Sequence, residues 1–351
     1  MASLFEQVRD RLERGITAGE YALGEVLPPV ETLAERHGCS PGTVRRAMTE
    51  LAQRGLVRSI QRKGTVVTAR PPRGRVCLLL SGEEHMDLMF QRPVYEALHQ
   101  ANFQVDLVPG GLDAEALQMR LEALFASGSG IKPVLASIMA PPELLKEPWA
   151  HRLFAGRVIY SYYPEPMDPK AVMICPDLQQ MARDVVEYLL RLGHRRIAVV
   201  AGFPGDRATW ATATAEHARH LVEVAGGTFR PHYLGPGEYE SLVRLIQEER
   251  VTAYWALHDH HALQVMAHLH RHGIRVPEDL ALVGRNDTPW SRNGRPALTS
   301  VSLDPTATAA AIVRAVLAMV QNDTAPDAVS LVRPRLVVRD STEATSTVGG
   351  A

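Results

Sequence analysis

The sequence predicts an α/β protein in two parts, an N-terminal winged helix-turn-helix and a two-lobed α/β body with parallel sheets. Three observations predict this fold. Residues 27–68 carry, in order, the signals of a helix, a tight turn, a second helix and a β-hairpin. After residue 75, short apolar runs alternate with amphipathic helical segments, which is typical of parallel sheets covered by helices. The body has about 275 residues, more than one open sheet comfortably accommodates.

The N-terminal part begins with a predicted helix at residues 3–18, because its apolar positions recur at helical spacing. A second helix, at residues 30–37, ends at Gly38, since glycine tolerates the positive φ that a helix end needs. Ser40 is a natural N-cap for the third helix, and Pro41 suits its first position. The buried face of that helix is formed by Val44, Ala47, Met48 and Leu51.

A hairpin follows the third helix, with β-branched or apolar residues at 56–60 and 65–68 on either side of a basic, glycine-containing turn. A winged helix-turn-helix puts its second motif helix into the major groove of DNA and its basic groups on phosphates. The interpretation left as an alternative is a helix-turn-helix used only for protein contacts. The predicted DNA-binding residues are Ser40, Gly42, Thr43, Arg45, Arg46, Arg62, Lys63, Gly64 and Thr65.

The distribution of charge agrees with DNA binding by the N-terminal part. Residues 1–70 contain 11 Lys and Arg against 8 Asp and Glu, although the whole chain has a net charge of −1. A mildly basic head on an acidic body fits a local DNA footprint. The three cysteines have no metal-binding spacing, and no apolar run approaches 18 residues. We therefore expect a cytoplasmic protein with reduced thiols, no membrane partner and no metal.

The domain boundaries follow from these changes of pattern. We predict a DNA-binding domain at residues 1–68, a stiff linker at 69–74, a body at 75–340 and a flexible tail at 341–351. The linker arginines either contact phosphate or are solvated. In the body, several predicted helices end at a glycine, and a glycine follows several of the predicted strands. The predicted strands are 76–80, 104–108, 134–139, 157–162, 196–201, 253–257, 280–283 and 330–338. The predicted helices are 90–101, 112–126, 181–192, 212–224, 239–249, 262–272 and 306–320.

The helix-turn-helix resembles the GntR family of bacterial transcription regulators. The matching residues are Leu27, Pro28, Leu33, Ala34, Gly38, Ser40, Thr43, Val44, Arg45, Ala47, Leu51, Gly55, Leu56, Gly64 and Thr65. Two departures concern DNA contact: Glu31 and Pro41 stand where the family usually has arginines that bind DNA. The resemblance implies a sequence-specific regulator, with operator sequence or affinity altered at these two positions.

The body resembles the effector domain of the lactose and galactose repressor family. The segments that carry this resemblance are residues 192–202, 251–259, 271–284, 286–288 and 296–301. The implied fold is periplasmic-binding-protein-like, two lobes joined by crossing strands with a ligand in the cleft. The combination with a GntR-type head resembles arabinose-repressor-like regulators. It implies a dimeric repressor on a palindromic double-stranded DNA operator, controlled by a small-molecule effector such as a sugar.

Candidate effector-binding residues follow the predicted strands, because ligands of open α/β sheets sit beyond the carboxyl ends of the strands. They are His85, Phe90, Ser161, Arg207, Trp210, His258, Asp259 and Asn286. Phe90 and Trp210 would supply faces for stacking. By the resemblance, His258, Asn286 and Ser161 replace an Asn, an Asp and an Asp of the family. The inward Arg of the family has no counterpart at Ala213 or Thr214, and Arg207 is the nearest basic residue.

Three alternatives remain at this stage. The run 258–261 contains three histidines and an aspartate, but alternate side chains diverge at a strand end, so we predict no metal site. GntR-type heads also occur on aminotransferase-like bodies that hold pyridoxal phosphate on a lysine. This body is shorter, and its three lysines (Lys132, Lys146 and Lys170) lie in no suggestive setting, so we predict no enzyme and no cofactor. In the third alternative the cleft is degenerate and the body only dimerises.

Overall fold

The computed structural model describes residues 3–80, 84–110, 113–125, 133–138, 153–162, 171–202, 210–256, 258–321 and 327–343. The predicted effector residues His85 and Arg207 are outside this description, His85 in its side chain and Arg207 entirely.

The head contains three helices and a wing. They are α1 (Leu4–Ala18), α2 (Val30–His37), α3 (Pro41–Gln53), β1 (Val57–Ile60) and β2 (Gly64–Val67). The strands pair antiparallel, and residues 24–27 add main-chain hydrogen bonds along the outer side of β2. Because the apolar faces of the three helices converge, they enclose one small core around Leu12, Leu33, Val44 and Leu51.

The first lobe of the body is a six-stranded parallel sheet. Its strands are β3 (Arg75–Leu79), β4 (Gln104–Val108), β5 (Val134–Ile138), β6 (Gly156–Tyr160), β7 (Ala171–Pro176) and β13 (Val329–Val332). Their order is β13-β7-β6-β5-β3-β4. Helices α4 (Glu84–Gln100), α5 (Ala114–Phe125) and α11 (Pro305–Gln321) accompany them. The central strands are buried along their whole length, which is why they are continuous apolar runs in the sequence.

The second lobe is another six-stranded sheet. Its strands are β8 (Arg196–Val200), β9 (Thr228–His232), β10 (Ala253–Trp255), β11 (Ala281–Arg285), β12 (Thr299–Ser302) and β14 (Arg335–Val337). The order is β14-β12-β11-β10-β8-β9, parallel except for β14, which is antiparallel to β12. Its helices are α6 (Leu178–Arg191), α7 (Trp210–Val224), α8 (Glu238–Gln247), α9 (Asp259–Arg271) and α10 (Pro289–Asn293).

The chain crosses between the lobes three times within the described residues. It crosses from β7 to α6 at Asp177, from β12 to α11 at residues 303–304, and from β13 to β14 at residues 333–334. Asp177 caps α6, its carboxylate accepting the Gln180 N–H at 2.9 Å. The three crossings join the lobes and form a hinge, so the lobes can rotate relative to each other about it.

The fold class predicted from the sequence is confirmed, but four elements were missed. The predicted list omitted β7, β9, α10 and β12. Strand β9 contains Pro231, and proline is disfavoured in central strands, but β9 lies at the edge of its sheet, where a proline can be accommodated. Strand β12 is rich in Thr and Ser, and its inclusion depends on pairing with β11 and β14.

The predicted last strand, 330–338, is two strands in different lobes. Pro334 interrupts it, and the chain leaves the first lobe there and enters the second. The predicted flexible tail also begins too early. Ser341 is fully buried and Thr342 nearly so, and the Ser341 hydroxyl donates to the Leu282 carbonyl at 2.6 Å. These two residues therefore belong to the core of the second lobe.

Candidate DNA-binding and effector-binding sites

The N-terminus of α3 is held in shape by its own polar side chains. Ser40 Oγ accepts the Thr43 N–H at 3.2 Å and lies 2.9 Å from the Thr43 hydroxyl. Gly42 is exposed beside them. Gly42 has no side chain to cover its N–H at the positive end of the helix dipole, and this position is favourable for a phosphate.

The two arginines of α3 point to different neighbours. Arg45 Nη2 donates to Glu31 Oε1 of α2 at 3.3 Å. The guanidinium of Arg46 lies over the ring of Phe5 of α1, 4.3 Å from its centroid. Consecutive residues of a helix point about 100° apart around its axis. A single orientation of α3 on DNA therefore places Arg45 and Arg46 differently relative to the DNA. Arg45 lies on the α2 side, next to the motif turn, and Arg46 lies on the α1 side.

The tip of the wing is a basic turn. Arg62 and Lys63 are exposed, and Arg62 has a φ of 63°. Gly64 has a φ of 102°, and a Cβ at this position would lie 2.9 Å from Val26 Cγ1. Glycine is therefore needed for the wing to close against residue 26. Thr65 is half-buried at the start of β2.

The linker arginines bind the head rather than extending into solvent. Arg70 Nε donates to the Thr17 carbonyl at 3.0 Å, and Arg73 Nη2 donates to the Ala18 carbonyl at 2.8 Å. Both carbonyls belong to the last turn of α1, where positive charge is favourable. The body holds the same linker through Asn102, whose side chain donates to the Pro71 carbonyl at 2.6 Å. Both predicted alternatives for these arginines, phosphate contact and solvation, are therefore replaced by intramolecular contacts in this structure.

A group of aromatic rings connects the two lobes at the carboxyl ends of their strands. Phe90 packs on Tyr160 with centroids 4.6 Å apart, and Tyr160 and Tyr162 are 6.4 Å apart. Tyr162, just after β6, packs on Trp210, the first residue of α7, at 4.9 Å. The guanidinium of Arg285 lies over both rings, 3.8 Å from the centroid of Trp210 and 4.9 Å from that of Tyr162.

A small cavity of about 10 Å³ adjoins this group. Trp210, Thr214, Trp255 and Arg285 line it, at the carboxyl ends of β8, β10 and β11. Trp255 is 3% exposed, and its indole N–H has no hydrogen-bond acceptor among the described residues. Buried donors are nearly always paired, so this one indicates that another molecule supplies the acceptor.

Asn286 follows β11 in a strained conformation. It is buried, has a φ of 100°, and its side-chain carbonyl accepts no hydrogen bond from the described part of the chain. Asp287 has a φ of 50° and is held by Arg292 at 3.1 Å and by Arg339. Strain of this kind persists when the surroundings impose it, and it is common in ligand-binding sites.

Asp259 is a structural residue in this arrangement. It is fully buried, and its carboxylate accepts hydrogen bonds from the Thr288 N–H at 2.6 Å, the Thr288 hydroxyl at 2.8 Å and the Ser300 hydroxyl at 2.5 Å. Burial raises the pKa of this carboxyl, and the three hydrogen bonds oppose that rise. The predicted effector contact at Asp259 is corrected, because its oxygens are occupied within the chain. His258, not Asp259, caps α9, its Nδ1 accepting the His261 N–H at 3.2 Å.

The remaining predicted effector residues divide between cleft and core. Ser161 lies beside Tyr162 and is buried, and Trp210 lines the cavity. Phe90 is fully buried in the core of the body, so its ring offers no face to a ligand and the predicted stacking role is corrected. Sequence reasoning did not select Arg285 or Trp255, although each is the last residue of a strand and could have been found by that position.

A second polar cluster, without a metal site, lies on the far side of α9. His261 is buried against Tyr254, His258 and Tyr239, and neither of its ring nitrogens has a hydrogen-bond partner among described residues. Burial, reinforced by the neighbouring histidines, lowers the pKa of His261 to about 3. Across the described ranges, no three His, Cys, Asp or Glu side chains are grouped so that they could hold a metal ion. No helix in the same ranges combines the length and apolar character that a membrane crossing requires.

A winged helix-turn-helix joined to two hinged α/β lobes with a cleft is the architecture expected of a DNA-binding regulator with an effector-type body. Residues 4–67 match the model of bacterial regulatory proteins of the gntR family, and residues 186–342 match that of a periplasmic binding protein-like domain. The chain thus carries a GntR-family head on a periplasmic-binding-protein-like body. It is a DNA-binding transcriptional regulator and not an enzyme.

Several known proteins are similar to this chain over most of its length. The arabinose metabolism transcriptional repressor of Geobacillus stearothermophilus is 24% identical, over 96% of this chain and 97% of that protein. The transcriptional regulator CelR–cellobiose complex superimposes with a TM-score of 0.60 at 21% identity, covering 90% of this chain and 100% of the other. A LacI family transcriptional regulator from Arthrobacter sp. FB24, in complex with lactose, gives a TM-score of 0.62 at 18% identity, with 77% and 100% covered. Likeness at this level of identity establishes the fold.

Proposed function

We propose that this regulator is a homodimeric repressor of a palindromic operator, and that a small molecule bound between the lobes controls its affinity for DNA. The observation that carries the proposal is the polar and aromatic cavity at the strand ends. Trp255 and Asn286 each bury a polar atom there without a partner in the described chain. A body that served only to dimerise would have no need of such unsatisfied groups, which cost about 1–3 kcal/mol each.

A sugar or a related small metabolite fits the chemistry of the cavity. Indole rings present flat apolar faces, and amide and guanidinium groups bind oxygen atoms at their edges. In this arrangement of the lobes the cavity is small, about 10 Å³, so a monosaccharide would enter it only if the lobes opened about the hinge. The relatives agree with this class, since one is named for arabinose metabolism and two of the similar structures contain cellobiose and lactose.

The hinge supplies a route from ligand to DNA. A ligand that touches both Tyr162 and Trp210 would favour one angle between the lobes. The linker is hydrogen-bonded both to Asn102 of the first lobe and to α1 of the head, so a lobe rotation would carry the head with it. In a dimer, the distance between two heads would change, and operator affinity depends on that distance.

On DNA, we propose that α3 enters the major groove and the wing contacts the backbone. Thr43 and Arg45 would approach bases, with Ser40 and Gly42 at a phosphate. At the wing, Arg62 and Lys63 would lie on phosphates, with Gly64 and Thr65 shaping the turn. Arg46 is more distant from the motif turn, and its contact would be to the backbone.

The test is fluorescence anisotropy with DNA from upstream of the regulator's own gene, at low and moderate salt, with and without a panel of sugars. The expected result is specific binding that one compound weakens, accompanied by a raised melting temperature of the protein. If the protein does not bind this DNA at low salt, the proposal that its operator lies upstream of its own gene is contradicted. Specific DNA binding with no ligand response would favour the alternative in which the body only dimerises.

A further inference from the structure

The ring of Phe5, in the first turn of α1, has two guanidinium groups of the head above it. The guanidinium carbon of Arg46, on α3, lies 4.3 Å from the ring centroid, and that of Arg9, one turn further along α1, lies 5.9 Å from it. Phe5 is half-buried and packs against the core of the head. Because the ring is anchored in this way, the guanidinium that stacks on it is held in one place.

The two arginines differ in their other contacts. Arg9 donates to Asp10 at 2.8 Å and to Glu50 of α3 at 3.0 Å, so its charge is compensated within the head. Glu50 lies four residues after Arg46, the spacing at which ion pairs form along a helix, but it accepts from Arg9 instead. The exposed side chain of Arg46 has no ion pair and no hydrogen bond among the described residues. Arg46 therefore keeps an uncompensated positive charge at the surface of α3.

The neighbouring arginines of α3 and its C-cap are held by carboxylates. Arg45 pairs with Glu31, and Arg54 pairs with Glu13. A carboxylate competes with a DNA phosphate for the same N–H donors. An aromatic ring does not compete, because it contacts the face of the guanidinium and leaves the donors at the edge of the plane. Of these three arginines, Arg46 is the one that is both positioned and open to an anion.

From this arrangement we infer that the first turn of α1 belongs to the DNA-binding surface, and that Phe5 is a positioning residue that holds Arg46 ready for a phosphate of the DNA backbone. The inference rests on the proposed docking of α3 in the major groove and deepens it. Phe5 restricts the arginine before DNA arrives, so less side-chain freedom is lost on binding. The capping box formed by Ser3 and Glu6 keeps this turn helical and the ring in place.

The charge of Arg46 is tested with the full-length protein. A phosphate contact carries no base sequence, so the probe is a random-sequence DNA duplex about three helical turns long. Fluorescence anisotropy is measured at several salt concentrations. Arg46→Gln should weaken binding roughly three- to tenfold at low salt, and should reduce the slope of log K against log salt concentration by about 1 for each bound head.

The matched control for the loss of charge is Arg14→Gln. Arg14 is an exposed arginine of α1 that lies in the groove between the head and the body, away from Arg46. Its removal should leave the dissociation constant within about twofold of the wild-type value, because distant exposed charges are screened by salt. An equal loss in Arg14→Gln and Arg46→Gln would show that only the overall charge of the head matters, and would overturn the inference.

The ring of Phe5 is tested by two substitutions and a control. Phe5→Leu removes the ring but keeps an apolar side chain, and it should weaken binding roughly two- to fivefold. Phe5→Tyr keeps the ring and should bind with wild-type affinity. Leu4→Ala is the matched control, since Leu4 is a 49% exposed apolar residue of the same turn, and it should bind as the wild-type protein does.

A double variant separates positioning from a purely structural role of the ring. If Phe5 acts through the arginine, Phe5→Leu should weaken binding no further once Arg46→Gln is present. A loss that persists in the double variant would assign Phe5 to the structure of the head and overturn its positioning role. The melting temperature of each variant checks that it is folded, and Phe5→Tyr tests the ring independently if Phe5→Leu lowers that temperature.

Failure of this inference is distinguishable from failure of the proposed function. If Arg46→Gln and Phe5→Leu bind the random duplex as tightly as the wild-type protein, the inference is overturned, and DNA binding through the rest of α3 and the wing stands. If the wild-type protein does not bind the duplex even at low salt, the proposed docking on DNA fails and this inference fails with it.

Discussion

Arg45 of the recognition helix is hydrogen-bonded to Glu31 of the preceding helix, with 3.3 Å between Nη2 and Oε1. Both side chains are about two-thirds exposed, so the pair contributes at most about 1 kcal/mol. A DNA phosphate or base can therefore displace Glu31. Glu31 also stands where the resemblance to the GntR family leads us to expect an arginine that binds DNA.

Glu31→Gln should strengthen operator binding by roughly 3- to 10-fold, because it releases Arg45 and removes a negative charge near the phosphates. Arg45→Ala should weaken binding by roughly tenfold or more. Fluorescence anisotropy at several salt concentrations measures both. Glu35→Gln, an exposed substitution one turn further along α2, is the charge-matched control. An equal gain in that control would mean that overall charge, not the contact with Arg45, sets the affinity.

The linker contacts predict resistance to proteolysis. The double variant Arg70→Gln, Arg73→Gln loses two charge-assisted hydrogen bonds to α1, each worth about 1–3 kcal/mol. Subtilisin should cut between head and body roughly tenfold faster in this variant. Arg58→Gln, on the exposed side of the wing, should be cut at the wild-type rate. Unchanged cleavage in the double variant would show that the linker is protected by other contacts.

Replacing Asn286 by glycine should stabilise the folded protein and weaken its binding of the ligand. Asn286→Gly should raise the free energy of unfolding by about 0.5–1 kcal/mol, because glycine adopts a φ of 100° without strain. Ligand affinity should fall, since the unpartnered amide is removed from the cleft. Urea unfolding and calorimetry measure the two effects. A variant that is destabilised, yet binds ligand normally, would contradict the role proposed for Asn286.

Asp259→Asn should destabilise the second lobe by about 2–4 kcal/mol. The amide cannot accept all three of the hydrogen bonds that the carboxylate accepts, and its NH₂ group would face donors. Asp279→Asn is the matched control, since it breaks a surface pair with Arg275 and should cost less than about 1 kcal/mol. Urea unfolding distinguishes them. Equal losses would mean that the buried hydrogen bonds of Asp259 contribute little.

The buried histidine His261 predicts acid sensitivity. Its pKa is lowered to about 3 in the folded protein by burial, whereas an unfolded histidine takes up a proton near its ordinary pKa of about 6.5. The unfolded state therefore binds more protons between these values. Stability should fall as pH decreases below about 6.5, by up to about 1.4 kcal/mol per pH unit from this residue.

His261→Phe should flatten this pH dependence between about pH 6.5 and 4, provided that the variant folds. The exposed neighbour His260 supplies the control, and His260→Gln should retain the wild-type slope. Urea unfolding at a series of pH values measures both. A slope that is unchanged in His261→Phe would assign the acid sensitivity to other groups, such as His232, whose pKa is also lowered by burial.

Local signals in the sequence were sufficient for the head. The bounds of α2 agree with prediction, and Ser40 caps α3 as expected, because caps and helical periodicity act within a few residues. The same holds for the strand–helix alternation of the body and for the motifs that identify its family. Edge strand β9 and the division of residues 330–338 between β13 and β14 could not be predicted, because these depend on which distant strand is the neighbour.

The residues of the candidate cleft likewise divide into those that the sequence predicted and those that only the structure identified. The position rule for strand ends predicted Trp210 and Asn286, and both lie in or beside the cavity. The same rule selected Asp259, and the need for an aromatic face selected Phe90. The structure buries Asp259 in a hydrogen-bonded network and Phe90 in the core. The sequence by itself determined the two-part α/β architecture, because periodicity, capping and family motifs are local. Only the tertiary structure brought Tyr162, Trp210 and Arg285 into contact, because these residues belong to different elements of two lobes and meet only when both sheets have packed across the hinge.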